Sequence, residues 1–194
     1  MTRKLRIWHS GAILHITARG NRKHNLFRDR KDYQHYLSLL LKAKKRNPFI
    51  LHSFCLMPNH IHLIIEIIDH SPSKIIHYIH SIYGRYFNKK YNYIGHVFQD
   101  RYFSKLIKNW KQLMDTSSYV HLNPVRSKHV PRPEDYHWSS YKSIISTSED
   151  SLTDKERLYG ALGDNPQQKY RFYVETKLRI KDWALPKMAS VESE

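Results

Sequence analysis

The hydrophobic and polar positions of the first 107 residues follow two periods, one typical of strands and one typical of helices. Short apolar runs predict strands, and apolar residues at helical spacing predict the helices between them. We expect strands at residues 11–19, 49–56, 60–68 and about 101–107, and helices at about 29–46 and 73–90. This order predicts an α+β fold of the ferredoxin-like βαββαβ type, with an antiparallel four-stranded sheet and both helices on one face.

The central feature of the pattern is the segment Met57-Pro58-Asn59 and the strand that follows it from His60. The segment predicts a tight turn, so the strand folds back on its predecessor as a hairpin. The near-continuous apolar run of this strand predicts an interior position, because an exposed edge would not tolerate it. Side chains alternate along a strand, so His60 and His62 share one face, where two imidazoles can bind one divalent cation. In a chain with 14 histidines one such pair is expected by chance, so the pair alone is weak support for a metal site.

A third helix is predicted to begin at Asn109, where Gln112 forms a variant of the capping box. Tyr119 and Asn123 are four residues apart on this helix, so both project from one face. Pro124 disfavours helical geometry at Asn123, which predicts that the helix ends there. A tyrosine paired with a terminal asparagine is ordinarily surface and cap, so the spacing alone does not establish a function. The stripe expected to pack on the sheet consists of Trp110, Leu113, Ser117 and Val120.

The last quarter of the chain is interpreted as a helical extension of a single domain. The domain spans residues 1–146 and the extension residues 147–194. We expect two short helices in the extension, at about 152–162 and 166–179. Residues beyond about 186 are expected to be disordered.

The charge of the chain points to a polyanionic partner. Lys and Arg number 33 against 17 Asp and Glu, which gives a net charge of +16. Residues 147–194 hold 8 basic and 9 acidic residues, so residues 1–146 hold 25 basic and 8 acidic residues and carry a net charge of +17. A surplus of this size favours nucleic acid first and an acidic membrane surface second.

The compartment is predicted from cysteine use and from targeting signals. Cys55 is the only cysteine, which excludes disulfides within the chain and fits a reducing compartment. The basic N-terminus is not followed by an unbroken apolar segment, so we expect no signal peptide. No stretch approaches the length of a membrane span. We therefore expect a cytoplasmic protein without a membrane partner.

Five segments, taken in chain order over about residues 8–145, resemble one known family. Residues 57–65, Met-Pro-Asn-His-Ile-His-Leu-Ile-Ile, are similar to the HUH strand of the single-tyrosine transposases. Residues 98–102, Phe-Gln-Asp-Arg-Tyr, resemble the segment before the fourth strand of that family. Residues 15–20, 119–126 and 138–141 resemble the branch called REP-associated tyrosine transposases. Ser127 and Lys128 replace the Ala-Gly that this branch often has, which alters the turn after the tyrosine helix.

The resemblance implies a metal-dependent endonuclease and strand transferase that acts on single-stranded DNA beside hairpin-forming palindromic repeats. It implies that Tyr119 is the nucleophile, which leaves a 5′-phosphotyrosine and a free 3′-hydroxyl. It also implies that His60, His62 and Asn123 are the ligands of a divalent metal, Mg²⁺ or Mn²⁺. A phenol is a weak nucleophile but a good leaving group, which suits reversible cutting and joining. Two imidazoles and an amide oxygen leave coordination positions open for phosphate oxygens.

The basic residues near these segments are candidates for contacts with DNA phosphates. They are Arg3, Lys4, Arg6, Arg19, Arg22, Lys23, Arg101 and Lys105.

Two other functions stay open. The chain can be a domesticated module that binds hairpin DNA or RNA without cutting it. It can also be a metal-dependent hydrolase that uses water, in which case Glu66, on the same strand face as the histidine pair, is the candidate general base. Some relatives exchange their tyrosine helices in a dimer. Because the tail helices can cover that surface here, we expect a monomer.

Overall fold

The computed structural model describes residues 8–147 and 150–180 of the 194-residue chain. Two short 3-10 turns cover Asn21–Lys23 and Pro133–Asp135. The strands are β1 (Ile13–Arg19), β2 (Phe49–Met57), β3 (His60–Ile67) and β4 (Phe103–Ile107). The helices are α1 (Arg30–Arg46), α2 (Pro72–Tyr91), α3 (Trp110–Arg126), α4 (Tyr141–Ile144), α5 (Glu156–Gly160) and α6 (Pro166–Arg179).

The four strands form one sheet in the order β2-β3-β1-β4, and every neighbouring pair is antiparallel. This is the predicted ferredoxin-like arrangement, and the histidine strand β3 is interior, as the sequence indicates. In the pairing of β1 with β3, Thr17 lies opposite His62 and Arg19 opposite His60. The residues that share a face with the histidine pair are therefore the odd-numbered positions of β1.

Helices α1 and α2 cover one face of the sheet, and their starts are fixed by side-chain caps. Asp29 and Asp32 form a reciprocal capping box at the start of α1, and Ser71 accepts from the backbone N–H of Lys74 at the start of α2. The two helices are joined by Lys90, whose Nζ lies 2.6 Å from the buried carboxylate of Asp32. This ion pair satisfies a charge that would be costly to bury alone.

Helix α3 covers the opposite face, together with the shorter helices of the C-terminal part. Its Leu113 and Val120 pack in a buried cluster with Cys55 and Ile64 of the sheet. Trp110, predicted to pack on the sheet, is 38% exposed. As the first residue of α3 it lines a surface cleft beside the end of β4 instead of entering this cluster.

Polar contacts fix the position of α3 on the sheet. The hydroxyls of Ser117 and Ser53 are 2.6 Å apart. The two ring nitrogens of His121 bond to the hydroxyls of Tyr170 and Ser140, each at 2.8 Å. Because His121 is fully buried, both bonds form where water cannot replace them. The helix that carries Tyr119 is thus held by side chains from α6 and from the segment before α4.

Two predicted boundaries were wrong. Helix α3 does not end at Asn123 but continues through Pro124 to Arg126, because the carbonyls of Asn123 and Pro124 accept hydrogen bonds from the N–H groups of Ser127 and His129. The first tail helix covers Glu156–Gly160 rather than about 152–162. The residues before it are not helical, and the N–H of Asp154 donates to the carbonyl of Leu51 on β2. Among the described residues, no helix is long and apolar enough to cross a membrane. The prediction of disorder beyond about 186 lies outside the described residues.

Candidate active site

Three histidines meet on the face of the sheet that α3 covers. His62 is buried, and its Nδ1 lies 3.0 Å from Nε2 of His15 on β1, so the two rings share a hydrogen bond. The rings are stacked with centroids 5.2 Å apart. His60 lies two residues along β3, with its ring centroid 4.9 Å from that of His62. Its Nδ1 donates to Oδ1 of Asn59 in the hairpin turn, at 2.7 Å.

The surroundings keep these imidazoles neutral. Burial, and then the nearby charge of Lys105, lowers the pKa of His15 to about 4. Burial and the charge of Arg19 lower the pKa of His60 to about 4. Burial holds the pKa of His62 well below its ordinary value, and the neighbouring histidines add to this effect. A neutral imidazole has a free lone pair, which is the form that binds a metal.

Tyr119 and Asn123 of α3 lie next to this histidine group. The ring of Tyr119 approaches His62 edge-on, with centroids 5.6 Å apart. The side-chain nitrogen of Asn123 donates to the carbonyl oxygen of Tyr119 at 2.8 Å. The side chain of Asn123 also contacts the imidazole of His60, and this contact opposes the fall in the pKa of His60. One turn of α3 therefore supplies both a phenol and an amide to the same site.

The donor set fits a divalent cation with open coordination positions. The Nε2 atom of His62 is buried and has no hydrogen-bond partner among the described residues. When Nδ1 of His62 donates to His15, Nε2 carries a free lone pair, and a buried polar atom without a partner calls for an explanation. In the described part of the chain, no three His, Cys, Asp or Glu side chains are grouped to hold a metal. A cation here would draw on two imidazoles, the amide oxygen of Asn123 and oxygens of a substrate.

A cleft of about 350 Å³ opens over the histidine pair and Tyr119, and we call it the tyrosine cleft. Of the predicted DNA contacts, Arg19 and Arg101 line this cleft. Lys105 lies opposite His15 in the pairing of β1 with β4. The structure thus brings three of the predicted cations to the site.

The other predicted DNA contacts lie away from the tyrosine cleft or outside the described residues. Arg22 and Lys23 are exposed on the turn after β1. This turn requires Gly20, because a Cβ there would lie 2.1 Å from the carbonyl oxygen of His24. Arg3, Lys4 and Arg6 lie outside the described residues.

Glu66 has a structural role in the fold. Its carboxylate accepts two hydrogen bonds from the guanidinium of Arg157, at 2.7 and 3.1 Å, and one contact from His52 at 3.0 Å. The Arg157 guanidinium, together with His52, lowers the pKa of Glu66 against the effect of burial. A carboxylate held ionised in these contacts, and absent from the lining of the tyrosine cleft, is poorly suited to act as a general base there.

The sequence interpretation did not identify His15 as a site residue, nor the residues Gln99, Asp100 and Phe103 that line the tyrosine cleft. The alternation of His15, Thr17 and Arg19 along β1 was visible as a pattern. Its relation to His62 depends on the register of β1 against β3, which the pattern does not give.

Comparisons with known proteins identify a family for this chain. Residues 9–123 match the profile of the family described as Transposase IS200 like. A Haemophilus influenzae protein described as a REP-associated tyrosine transposase is 29% identical over 106 residues, covering 48% of this chain and 60% of the relative. The chain thus spans about 60% of the length of this curated relative.

One solved structure shows the same fold. The structure described as a REP-associated tyrosine transposase bound to a REP hairpin matches with a TM-score of 0.66 and 20% identity, covering 79% of this chain and 98% of that one. A Deinococcus radiodurans structure described as a transposase matches with a TM-score of 0.44 and 13% identity, covering 59% of this chain and 93% of that one.

Proposed function

Because the chain belongs to the family of IS200-like transposases, we propose that it cuts and rejoins single-stranded DNA beside a hairpin through a covalent bond to Tyr119. The observation that carries this proposal is the meeting of Tyr119 with the histidine pair in one cleft with basic walls. The REP hairpin bound by the structural neighbour supports hairpin DNA as the partner.

The proposed chemistry is a transesterification at one phosphodiester bond. The phenolic oxygen of Tyr119 forms a bond to phosphorus while the bond from phosphorus to the 3′ oxygen breaks. The phenol loses its proton and the departing 3′ oxygen gains one. The downstream fragment is then held as a 5′-phosphotyrosine, and the upstream fragment ends in a 3′-hydroxyl. Rejoining is the reverse attack by a 3′-hydroxyl, and the phenol is a suitable leaving group.

The residues around Tyr119 have separate parts in this reaction. His60, His62 and Asn123 would hold Mg²⁺ or Mn²⁺, and such an ion neutralises the charge that develops on the phosphate oxygens. Arg19 and Arg101 attract and orient the phosphate backbone along the tyrosine cleft. The hydrogen bond from the side chain of Asn123 to the carbonyl of Tyr119 fixes this proposed metal ligand against the helical turn that carries the nucleophile.

The test is the formation of a covalent protein–DNA adduct. Wild-type protein, Mn²⁺ and a single-stranded oligonucleotide with a repeat hairpin should give an adduct that survives SDS, linked to the 5′ phosphate of the downstream fragment. Tyr119→Phe removes only the nucleophilic oxygen, so it should bind the same DNA and form no adduct. The matched control is Tyr173→Phe, which removes the phenol hydroxyl of α6 that donates to Asp115.

The outcomes separate the candidate functions. An adduct that persists in Tyr119→Phe would assign the nucleophile to another residue. A nicked product without an adduct in the wild type would favour the water-using hydrolase, which the hydrogen bonding of Glu66 disfavours. Hairpin binding without any cutting would favour the binding module.

A further inference from the structure

A second and larger cleft lies beside the tyrosine cleft, and the proposed chemistry does not use it. It has a volume of about 900 Å³, at the upper end of the range of about 300–1,000 Å³ that is usual for ligand sites. One wall is the outer side of α2 from Ser73 to Asn88, and the other is the loop from Gly95 to Tyr102. We call it the α2 cleft. Gln99, Asp100 and Arg101 line both clefts, so the two clefts adjoin at this loop.

A glycine in the middle of α2 leaves the α2 cleft open. A Cβ built at Gly84 would meet no atom within 4 Å, so no packing contact requires a glycine there. A glycine inside a helix is less favourable than an alanine, because it loses more backbone freedom on folding. A Cβ at Gly95 on the facing wall also meets nothing within 4 Å. The chain therefore accepts a weaker helix at a position where a larger side chain would extend into the cleft.

The lining combines positive charge with aromatic surface. Lys74, Arg85 and Arg101 are exposed around the α2 cleft, against the single acidic residue Asp100. The rings of His80 and Phe98 are stacked with centroids 3.8 Å apart and planes 10° apart. Cations around an aromatic surface are the combination with which proteins bind single-stranded nucleic acid.

Polar groups of the α2 cleft suit a neutral base. His80 is half-buried, and its Nε2 lies 3.2 Å from the hydroxyl of Tyr36. Burial lowers the pKa of His80 to about 3, so this ring is neutral. The side-chain oxygen of Asn88 is buried and has no hydrogen-bond partner among the described residues. It is an acceptor that the exocyclic amino group of a base can satisfy after a small side-chain movement.

We infer that the α2 cleft binds unpaired nucleotides of the same DNA strand whose phosphate lies next to Tyr119. This inference rests on the proposed function for the identity of the strand. The shared loop at Gln99, Asp100 and Arg101 supports one continuous strand, because a chain leaving the tyrosine cleft past this loop enters the α2 cleft directly. Stacking of bases gives a binding energy that depends little on sequence, while the rim cations contact the phosphates.

The test compares hairpins that share a stem and differ only in their single-stranded extension. Binding is measured by fluorescence anisotropy in EDTA, so that no cutting occurs, with a blunt hairpin and with 5′-extended and 3′-extended hairpins. Wild type should bind one extended hairpin about tenfold or more tightly than the blunt one. Gly84→Phe fills the cleft and should lose this gain while binding the blunt hairpin as wild type does. Gly84→Ala is the matched control and should keep the gain, with a higher melting temperature.

A second pair of variants covers the case in which Gly84→Phe fails to fold. Arg85→Ala removes an exposed cation of the α2 cleft and should reduce the salt dependence of binding for the extended hairpin but not for the blunt one. Lys45→Ala removes an exposed cation of α1 that does not line the cleft, and it should change neither.

Each outcome decides one question. A wild type that gains nothing from either extension, or variants that keep the gain in full, would overturn the inference. An intact gain with no adduct in the wild type would instead count against the proposed function. If the wild type forms the adduct but the α2 cleft variants bind every hairpin as the wild type does, the inference is wrong and the proposed function still stands.

Discussion

The replacement His15→Phe tests whether the histidine pair is oriented for a metal. His15 is 1% exposed, and its hydrogen bond to His62 is the 3.0 Å contact between Nε2 and Nδ1. For Nε2 of His62 to carry a free lone pair, its Nδ1 must bear the proton and donate it to His15. Phenylalanine keeps an aromatic ring in the stack but offers no acceptor. The donor of His62 is then left buried without a partner, or its proton moves to the atom that should bind the metal.

The size of the expected effect follows from this single hydrogen bond. Loss of a partner that orients a metal-binding histidine typically costs about 10–100-fold in metal affinity. That factor corresponds to about 1.4–2.8 kcal/mol. It agrees with the cost of about 1–3 kcal/mol for leaving a buried donor unsatisfied. His15→Phe should therefore weaken Mn²⁺ binding by one to two orders of magnitude.

The assay is a titration with Mn²⁺ in which free ion is measured by electron paramagnetic resonance, without DNA. Nitrogen-15 NMR of the His62 ring reports which nitrogen carries the proton, independently of affinity. His15→Gln, whose side-chain oxygen can accept in place of Nε2, should retain most of the affinity. His24→Phe, on an exposed turn residue, is the control. If folded His15→Phe binds Mn²⁺ within about twofold of wild type, His62 does not depend on His15 for its orientation.

Three further predictions follow from the same structure. His62→Ala should abolish cutting, whereas Asn123→Ala should reduce it less, because water can replace an amide oxygen. Both effects are measured as initial cutting rates at limiting Mn²⁺. Full activity of Asn123→Ala would show that Asn123 is not a metal ligand. Burial lowers the pKa of His121 to about 3, against about 6.5 in an unfolded chain. The unfolded state therefore binds more protons below pH 6.5, so the titration of His121 lowers the free energy of unfolding by about 2 kcal/mol between pH 7 and pH 5. Urea unfolding in EDTA should show that His121→Gln loses less stability than the wild type over this range, by about that amount. Equal losses in the two proteins would contradict the prediction. Arg101→Ala should weaken hairpin binding. It should also reduce the slope of log affinity against log salt concentration by about one unit. An unchanged slope would mean that Arg101 contacts no phosphate.

Local periodicity was enough to predict which site residues share a face. The two-residue period of β3 put His60 and His62 together, and the helical period of α3 did the same for Tyr119 and Asn123. Each pair lies on one element, so its geometry depends only on the backbone of that element. The ferredoxin-like order followed from the order of the elements, and the apolar run of β3 correctly indicated an interior strand.

The distance between the two pairs could not be predicted in the same way. It depends on hydrogen bonds of Ser117 to Ser53 and of His121 to Ser140 and Tyr170, which join residues 19 to 64 positions apart. The partnership of Glu66 with Arg157 spans 91 positions and was missed for the same reason. Neither hydrophobic periodicity nor residue spacing contains these pairings, because they are set by tertiary packing.

The position of the site at the β4 side of the sheet has a consequence for how DNA can reach it. The loop between the two clefts is held to the end of β1 and the turn after it where the shared wall begins, since Val97 accepts from the N–H of Asn21 and Gln99 donates its N–H to Arg19, at 2.8 and 2.9 Å. Among residues 8–147 and 150–180, β4 is an edge strand of the sheet, and no further strand pairs with its outer side. A DNA strand that extends from the tyrosine cleft into the α2 cleft would pass Asp100 and Arg101, because both residues line both clefts. On that path the charge of Arg101 would act on phosphates in both clefts, which would couple recognition of the unpaired strand to placement of the bond that Tyr119 attacks.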